Sequence, residues 1–294
     1  MELGLDVSQH QLTWQELLNR TRWAEDAGFE GAWVFDHFKA LYGDPAGPCL
    51  EAWTLLAALG AATSRIRLGP LVTGITYRHP SILATEVVTA DHVSQGRIEL
   101  ALGAAWHQGE HHELGIDFPQ PAERIQRLEE AIEVMELLMT TDGATFDGRY
   151  YKLAHATYNP KPVQQPRPPL WIGGGGEKLM LPLIARRADV WHGFGSARAI
   201  ERKSRLLDEH AEKAGRDPAS IRRSTSLSIS EPWGEVRRNA EALARVGVSY
   251  LTVDWPSQGM QRVDEFASRV MPEVRSLKSE PLARAGFAGQ RRCD

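Results

Sequence analysis

The chain is poor in cysteine: among 294 residues only Cys49 and Cys293 carry a thiol, too few for the stapled framework of a small secreted domain. It has no long uncharged apolar run, and nothing approaches the roughly 18 residues needed to cross a bilayer. The opening MELGLDVSQH lacks the basic-then-apolar pattern of a secretion signal. A soluble, cytoplasmic protein is expected. Surplus positive charge is missing too: 34 Lys and Arg stand against 38 Asp and Glu, a net charge of −4, which offers no basic footprint for a phosphate backbone. Neither nucleic acid nor a membrane is an expected partner. What the chain has is rings. Nine Trp and ten His join apolar bodies to polar edges, a combination suited to holding a flat ligand.

The composition, 42% hydrophobic and 24% charged, can bury a sizeable core. Short apolar runs alternate with stretches of helical period along nearly the whole length. Strands are predicted at residues 2–7, 31–35, 66–72, 98–102, 170–173, 189–193, 223–229 and 250–253. Helices are predicted at 13–27, 50–63, 81–94, 122–139, 178–187, 199–214, 235–246 and 263–277, the first opened by a Thr13-x-x-Glu16 capping box and closed at Gly28. Eight strands, each followed by a helix, match a (β/α)₈ TIM barrel in number, order and length. A doubly wound sheet is the rival, but eight even units are unusual for it. A single barrel domain over residues 1–277 follows, with an excursion over about 117–168 between strands four and five. There, Asp142-Gly143 and Asp147-Gly148 flank an alternating aromatic run before a proline-rich stretch, which reads as a hairpin. Residues 278–294 lack apolar periodicity and are expected to form a mobile tail.

In such a barrel the chemistry sits at the carboxyl ends of the strands. After strand two, Phe35-Asp36-His37-Phe38 places two titratable groups there. His37 can carry a proton near neutral pH with Asp36 biasing its tautomer; the plainer alternative is an Asp cap with the His packed over it. After strand three, Thr73-Gly74-Ile75 precedes Tyr77-Arg78-His79-Pro80, and Gly74 permits close approach of backbone to a ligand. After strand four comes Ala104-Ala105-Trp106-His107, and His107-x-x-Glu110-His111 spells the H-x-x-E-H of some zinc peptidases. Gly109 within that motif weakens a helix, and no third ligand is evident, so no metal site is expected. Strand five runs into four glycines, Gly173 to Gly176. Consecutive bare amides there form an anion nest suited to a phosphate, the alternative being a purely structural turn. Strand six ends Trp191-His192-Gly193 and could complete the same pocket.

Four separated motifs now stand together: Phe35-Asp36-His37-Phe38; Leu68-Gly69-x-Leu71-Val72-Thr73-Gly74 with Tyr77-Arg78-His79-Pro80; Gly96-Arg97-Ile98-Glu99-Leu100-x-Leu102-Gly103; and Pro169-Leu170-Trp171-Ile172-Gly173-Gly174 with Ala188-Asp189-x-Trp191. Jointly they resemble the bacterial luciferase-like flavin-barrel family, and within it the branch dependent on the deazaflavin coenzyme F420. The resemblance implies an oxidoreductase with a flavin-like ring across the barrel mouth, moving a hydride between F420 and a small organic substrate. By that resemblance, His37, Asp36 and Trp106 are the catalytic candidates. Asp36, Thr73, Gly74, Ile75, Ala104, Ala105, His107, Gly174, Gly175, Gly176 and His192 are the coenzyme-binding candidates. Thr73-Gly74-Ile75 would form a supporting backbone bulge, often with a cis peptide. His107 and His192 depart from the family, standing where many relatives have Asn. A homodimer and a flavin or F420 reductase partner are further implications.

The first alternative is a monooxygenase using reduced FMN from such a reductase. The others are a metal hydrolase built on His107, Glu110 and His111, and a barrel that binds flavin without turnover. Substrate choice is expected to rest on the excursion and on Trp233 and Trp255. Trp106, Trp191 and Trp255 are expected near the mouth, and Trp14, Trp23 and Trp53 in helix packing.

Overall fold

The structure, a computed structural model, describes residues 1–280; the expected tail falls outside them from residue 281 onward. In chain order the elements are β1 (Glu2–Asp6), α1 (Trp14–Ala27), β2 (Gly31–Val34), α2 (Ala52–Ala62), β3 (Arg67–Pro70), β4 (Thr73–Gly74), α3 (Pro80–Ser94), β5 (Leu100–Gly103), α4 (Gln108–Leu114) and α5 (Pro121–Thr140). There follow β6 (Ala144–Asp147), β7 (Lys152–Ala156), β8 (Leu170–Gly173), α6 (Met180–Arg187), β9 (Val190–His192), α7 (Ala197–Lys213), β10 (Arg222–Leu227), α8 (Trp233–Arg245), β11 (Tyr250–Val253), α9 (Met260–Arg269) and α10 (Met271–Ser276).

One sheet runs β3-β2-β1-β11-β10-β9-β8-β5-β4. Every neighbouring pair in it is parallel. β3 and β4 are two halves of one barrel strand, interrupted at the cis Leu71–Val72 peptide. The first half pairs with β2 and the second with β5. The ring shuts where Leu68 bridges Ile98, its N–H donating to Arg97 O at 2.9 Å while Glu99 N–H donates back to Leu68 O at 2.8 Å. This is the (β/α)₈ barrel that the periodicity predicts, and the excursion is α5 followed by the antiparallel hairpin β6–β7.

Local chemistry explains most element boundaries. Thr13 caps α1 with the expected capping box, and Gly28 closes it in the left-handed region at φ 87°. The last predicted helix is two: Pro272 stands in the first turn of α10, where it has no N–H to continue the ladder of α9. Gly109 does not prevent a helix, since α4 forms across the H-x-x-E-H segment.

Strand side chains alternate between two cores. Leu3, Leu5, Leu68, Leu100, Ile172 and Leu251 face the helices in one large apolar layer. Trp33, Ala101, Trp171, Val190 and Tyr250 fill the barrel itself, with Leu71 and Val72 packed on them. The rings are tightly set: Trp33 and Trp171 centroids lie 4.6 Å apart, and Trp33 Nε1 donates to Tyr250 Oη at 2.9 Å. Gly4 makes room for both, because a Cβ there would come within 2.3 Å of each polar atom. Burying the three rings stabilises the barrel by several kcal/mol, at about 25 cal/mol per Å² of apolar surface. It also gives the mouth a solid floor. No helix among the described residues is long and apolar enough to cross a membrane.

Candidate functional site

Gln9, fully buried behind the mouth, grips the end of β2 through its amide: Phe35 N–H donates to Gln9 Oε1 at 2.9 Å, and Gln9 Nε2 donates to Phe35 O. That clamp fixes where Asp36 and His37 emerge. Both are buried, but they take different partners. Arg78 forks onto Asp36, with Nη1 to Oδ2 at 2.7 Å and Nη2 to Oδ1 at 3.0 Å. Arg78 also pairs with Glu51 and, through Nε at 3.1 Å, with Glu86. Burial pushes the Asp36 carboxyl above its ordinary range, against the pull of Arg78 and of the Thr73 hydroxyl. Asp36 therefore anchors the loop after β4 and does not orient His37.

The orienting carboxylate is Glu110, from α4. Its Oε2 lies 2.7 Å from His37 Nδ1 and accepts the Tyr77 hydroxyl; its Oε1 accepts the Phe38 N–H at 2.7 Å and the Lys39 N–H at 3.3 Å. Burial alone would raise its pKa, but the bonds from His37, Tyr77 and Phe38 outweigh it and hold Glu110 down at about 2. An acceptor with so many donors must be ionised. It follows that His37 Nδ1 carries a hydrogen and Nε2 is left as the basic nitrogen. Nε2 makes no hydrogen bond to any described residue.

This arrangement also separates the zinc-like triad. Glu110 is spent on His37. His107 Nδ1 accepts the N–H of Glu110 at 2.9 Å, as the cap of α4, and His111 Nε2 meets Thr76 Oγ1 at 2.6 Å. The three side chains do not converge, and no group of three metal-ligating side chains is placed to hold an ion among the described residues.

Trp106 stands beside His37, ring centroids 5.8 Å apart, and is 67% exposed, so its face is free for a ligand. Ala104 and Ala105 precede it; Arg124 Nε donates to Ala104 O at 2.9 Å, and Ala105 has φ 61°. Thr73 is buried and its Oγ1 accepts Trp53 Nε1–H at 3.0 Å. Ile75 points into the helix-side core. The side chain that occupies the mouth from this strand is Val72, whose methyls lie where Cβ atoms on Gly103 and Gly173 would come within 2.7 and 3.0 Å. The cis bond precedes Thr73 rather than falling within Thr73-Gly74-Ile75.

On the far side, Gly174 leaves β8 with φ 139°, and Gly174 N–H donates to His192 O at 3.2 Å. The helix does not start at the glycines; α6 begins at Met180, with Met180 and Leu181 N–H both returning to Gly176 O. The amides of Gly175, Gly176 and Glu177 donate to no acceptor among the described residues. Lys203 of α7 reaches over them: a Cβ on Gly175 would come within 2.5 Å of its Nζ. Free amides and an ammonium make this a fitting anion cradle. Trp191 is not a mouth residue. It is wholly buried in the helix-side core, where its Nε1 donates to Gly174 O at 2.7 Å and braces the glycine turn. His192 is fully buried beside it, Nδ1 3.1 Å from Ser224 Oγ, with Nε2 unpartnered. Burial lowers its pKa to about 4, so it is neutral at pH 7.

A barrel with this broken third strand, glycine cradle and mouth histidine was compared with known proteins. The chain matches the luciferase-like monooxygenase family over residues 1–277. It belongs to that family. An F420-dependent glucose-6-phosphate dehydrogenase of Nocardia farcinica (strain IFM 10152) is 33% identical to this luciferase-like chain over 247 residues, covering 78% of it and 69% of the relative. Among solved structures, an F420-dependent secondary alcohol dehydrogenase in complex with an F420-acetone adduct superposes with a TM-score of 0.84 at 21% identity, covering 93% of this chain and 99% of that one. The coenzyme F420 dependent tetrahydromethanopterin reductase from Methanopyrus kandleri gives 0.79 at 19% identity, with the same coverage.

Four residues of this luciferase-like site were not marked as functional by sequence: Glu110 as the partner of His37, Tyr77, Lys203 and Val72. Glu110 stood in an H-x-x-E-H setting that pointed to a metal instead, and Val72 and Tyr77 stood inside the family motifs without a role of their own. Lys203 is one of several cations on α7, and nothing in its neighbours distinguishes it.

Proposed function

We propose that this luciferase-like enzyme is an F420-dependent oxidoreductase, moving a hydride between coenzyme F420 and a small organic substrate while His37 handles the accompanying proton. The observation that carries this reading is the His37–Glu110 pair at the barrel mouth, with Nδ1 committed to a carboxylate and Nε2 unoccupied. When bound, F420 supplies a carbon that accepts or gives a hydride, a two-electron step with no oxygen chemistry.

The coenzyme is F420 rather than FMN: the relative at 33% identity and the two superposing dehydrogenase and reductase structures carry F420 in their names. The residues fit it. Gly175, Gly176 and Lys203 would hold an anionic tail, Val72 and Ala105 would support the ring, and the exposed face of Trp106 would close the side next to His37. In the oxidative direction His37 Nε2 takes the substrate hydroxyl proton. Glu110, already charged, stabilises the imidazolium so formed, and Tyr77 and the Phe38 amide keep Glu110 from swinging away. In the reductive direction the same nitrogen returns the proton to the nascent alkoxide. Asp36 and Arg78 set the height of the loop carrying His37 and take no proton.

Separate titrations of the purified protein with F420 and with FMN test the coenzyme. Tight F420 binding with weak FMN binding is expected, and the reverse result overturns the reading.

A further inference from the structure

The mouth has a second titratable pair that the mechanism leaves unused. Asp6 ends β1, and Asp254 follows the last residue of β11. The strands pair in register, Gly4 with Thr252 and Leu5 with Val253, so the next pair along is Asp6 with Asp254. Both carboxyls fall on the barrel side. Leu5 and Val253 face the helices and are wholly buried, whereas Asp6 and Asp254, on the opposite face, are partly buried. Their electrostatics differ from those of the other mouth carboxylates. Asp36 has Arg78 and Glu110 has His37, but neither Asp6 nor Asp254 has a cation within 4 Å among the described residues. Asp6 accepts only the Ser8 N–H at 2.8 Å on Oδ1, and Asp254 is supported by the Ser226 hydroxyl. The neighbouring Arg20 stacks on Trp255, 3.7 Å from the ring centroid, and acts on Asp6 through space without forming an ion pair with it.

An independent observation points to a ligand. Thr252 lies two residues below Asp254 on the same inward face, opposite Gly4, and is 1% exposed. Its hydroxyl has no partner, although a buried hydroxyl left unpaired costs on the order of 1–3 kcal/mol. On that face it lies one step below the Asp6–Asp254 pair, next to the Trp33–Tyr250 hydrogen bond that fills the space over Gly4.

We infer that Asp6 and Asp254, with Thr252 beneath them, form a substrate-selecting wall that takes a protonated amine of the substrate. This rests on the reading above that the mouth is the substrate site. A divalent cation is the less suitable occupant, since the pair has no third ligand placed with it among the described residues. Burial raises both carboxyls, and the neighbouring Asp254 adds to the rise of Asp6, to about 7; an ammonium seated between them would favour their charged forms. A phosphorylated or carboxylated substrate would be repelled there.

Calorimetry of the coenzyme-free protein with three probes tests this: 1-amino-2-propanol, 2-butanol and glycerol phosphate. The amino alcohol is expected to bind at least roughly tenfold more tightly than 2-butanol, with glycerol phosphate weakest. Asp254→Asn and Asp6→Asn, both isosteric, are expected each to remove about a factor of ten from amino-alcohol binding and to leave 2-butanol unchanged. Equal binding of the amino alcohol and 2-butanol by the wild type, or parallel loss of both in the variants, overturns the inference. An F420 titration of the same samples reports separately on the coenzyme reading, and in the Asn variants it is expected to be unchanged.

Discussion

Glu110 lies 2.7 Å from His37 across 73 residues of chain, and it is ionised because it receives four donors. That one contact decides which nitrogen of His37 is free. It also converts an apparent metal motif into a device for orienting a base.

His37→Ala is expected to lower turnover by about 10²- to 10⁴-fold while leaving F420 affinity within a few-fold. Glu110→Gln should lower kcat too, but by less, because a neutral amide can still accept from Nδ1 without stabilising the imidazolium. Steady-state rates beside a coenzyme titration separate the two. A variant His37→Ala with undiminished turnover would remove His37 from the mechanism.

Gly175→Ala places a methyl against the flexible end of Lys203, so the fold should survive while the cradle is filled. Coenzyme Kd is expected to rise about tenfold, and Lys203→Met should do the same by removing a charge-assisted hydrogen bond. Turnover at saturating coenzyme should be near normal in both. A fluorescence titration with F420 measures this, and unaltered affinity in both variants would place the tail elsewhere.

Arg78→Met leaves the buried Asp36 without its fork of bonds. Breaking a buried pair on one side costs about 3–5 kcal/mol, so the urea midpoint should fall sharply. Asp36→Asn keeps one acceptor for Arg78 and is expected to cost less. Equal midpoints for wild type and Arg78→Met would show that the pair contributes no stability.

Acid unfolding should occur in two windows. Folded His10 and His192 have pKa values lowered from 6.5 to about 4, chiefly by burial. The unfolded chain then binds more protons, and each stabilising contribution, about 3 kcal/mol, is complete above pH 6.5 and lost as pH falls toward 4. Glu110, lowered from 4.5 to about 2, contributes stability present above 4.5 and lost on approaching 2. Denaturant melts across pH, with His192→Asn as the control, test this: the variant should remove the His192 share of the upper window, keep that of His10, and leave the lower window. An unchanged upper window in His192→Asn would exclude the buried imidazole as its source.

The sequence by itself determined the barrel, because strand alternation and helix period are properties of each segment alone. Thr13 and Gly28 ended α1 where their chemistry requires, and the eight strands appeared at their predicted places. It also determined that His37, Trp106 and the glycine turn stand at strand ends, since strand ends are local features. The tertiary structure decided the pairings. Asp36, adjacent to His37 in sequence, turns to Arg78, while Glu110 arrives from another barrel unit. Trp191 was expected among the mouth rings, but its place in the strand alternation sends it to the helix side. Lys203 and Thr252 gained their settings only when β8 met α7 and β1 met β11. Such contacts depend on how strand tilt and ring closure bring separate units together, and no window of sequence contains both partners.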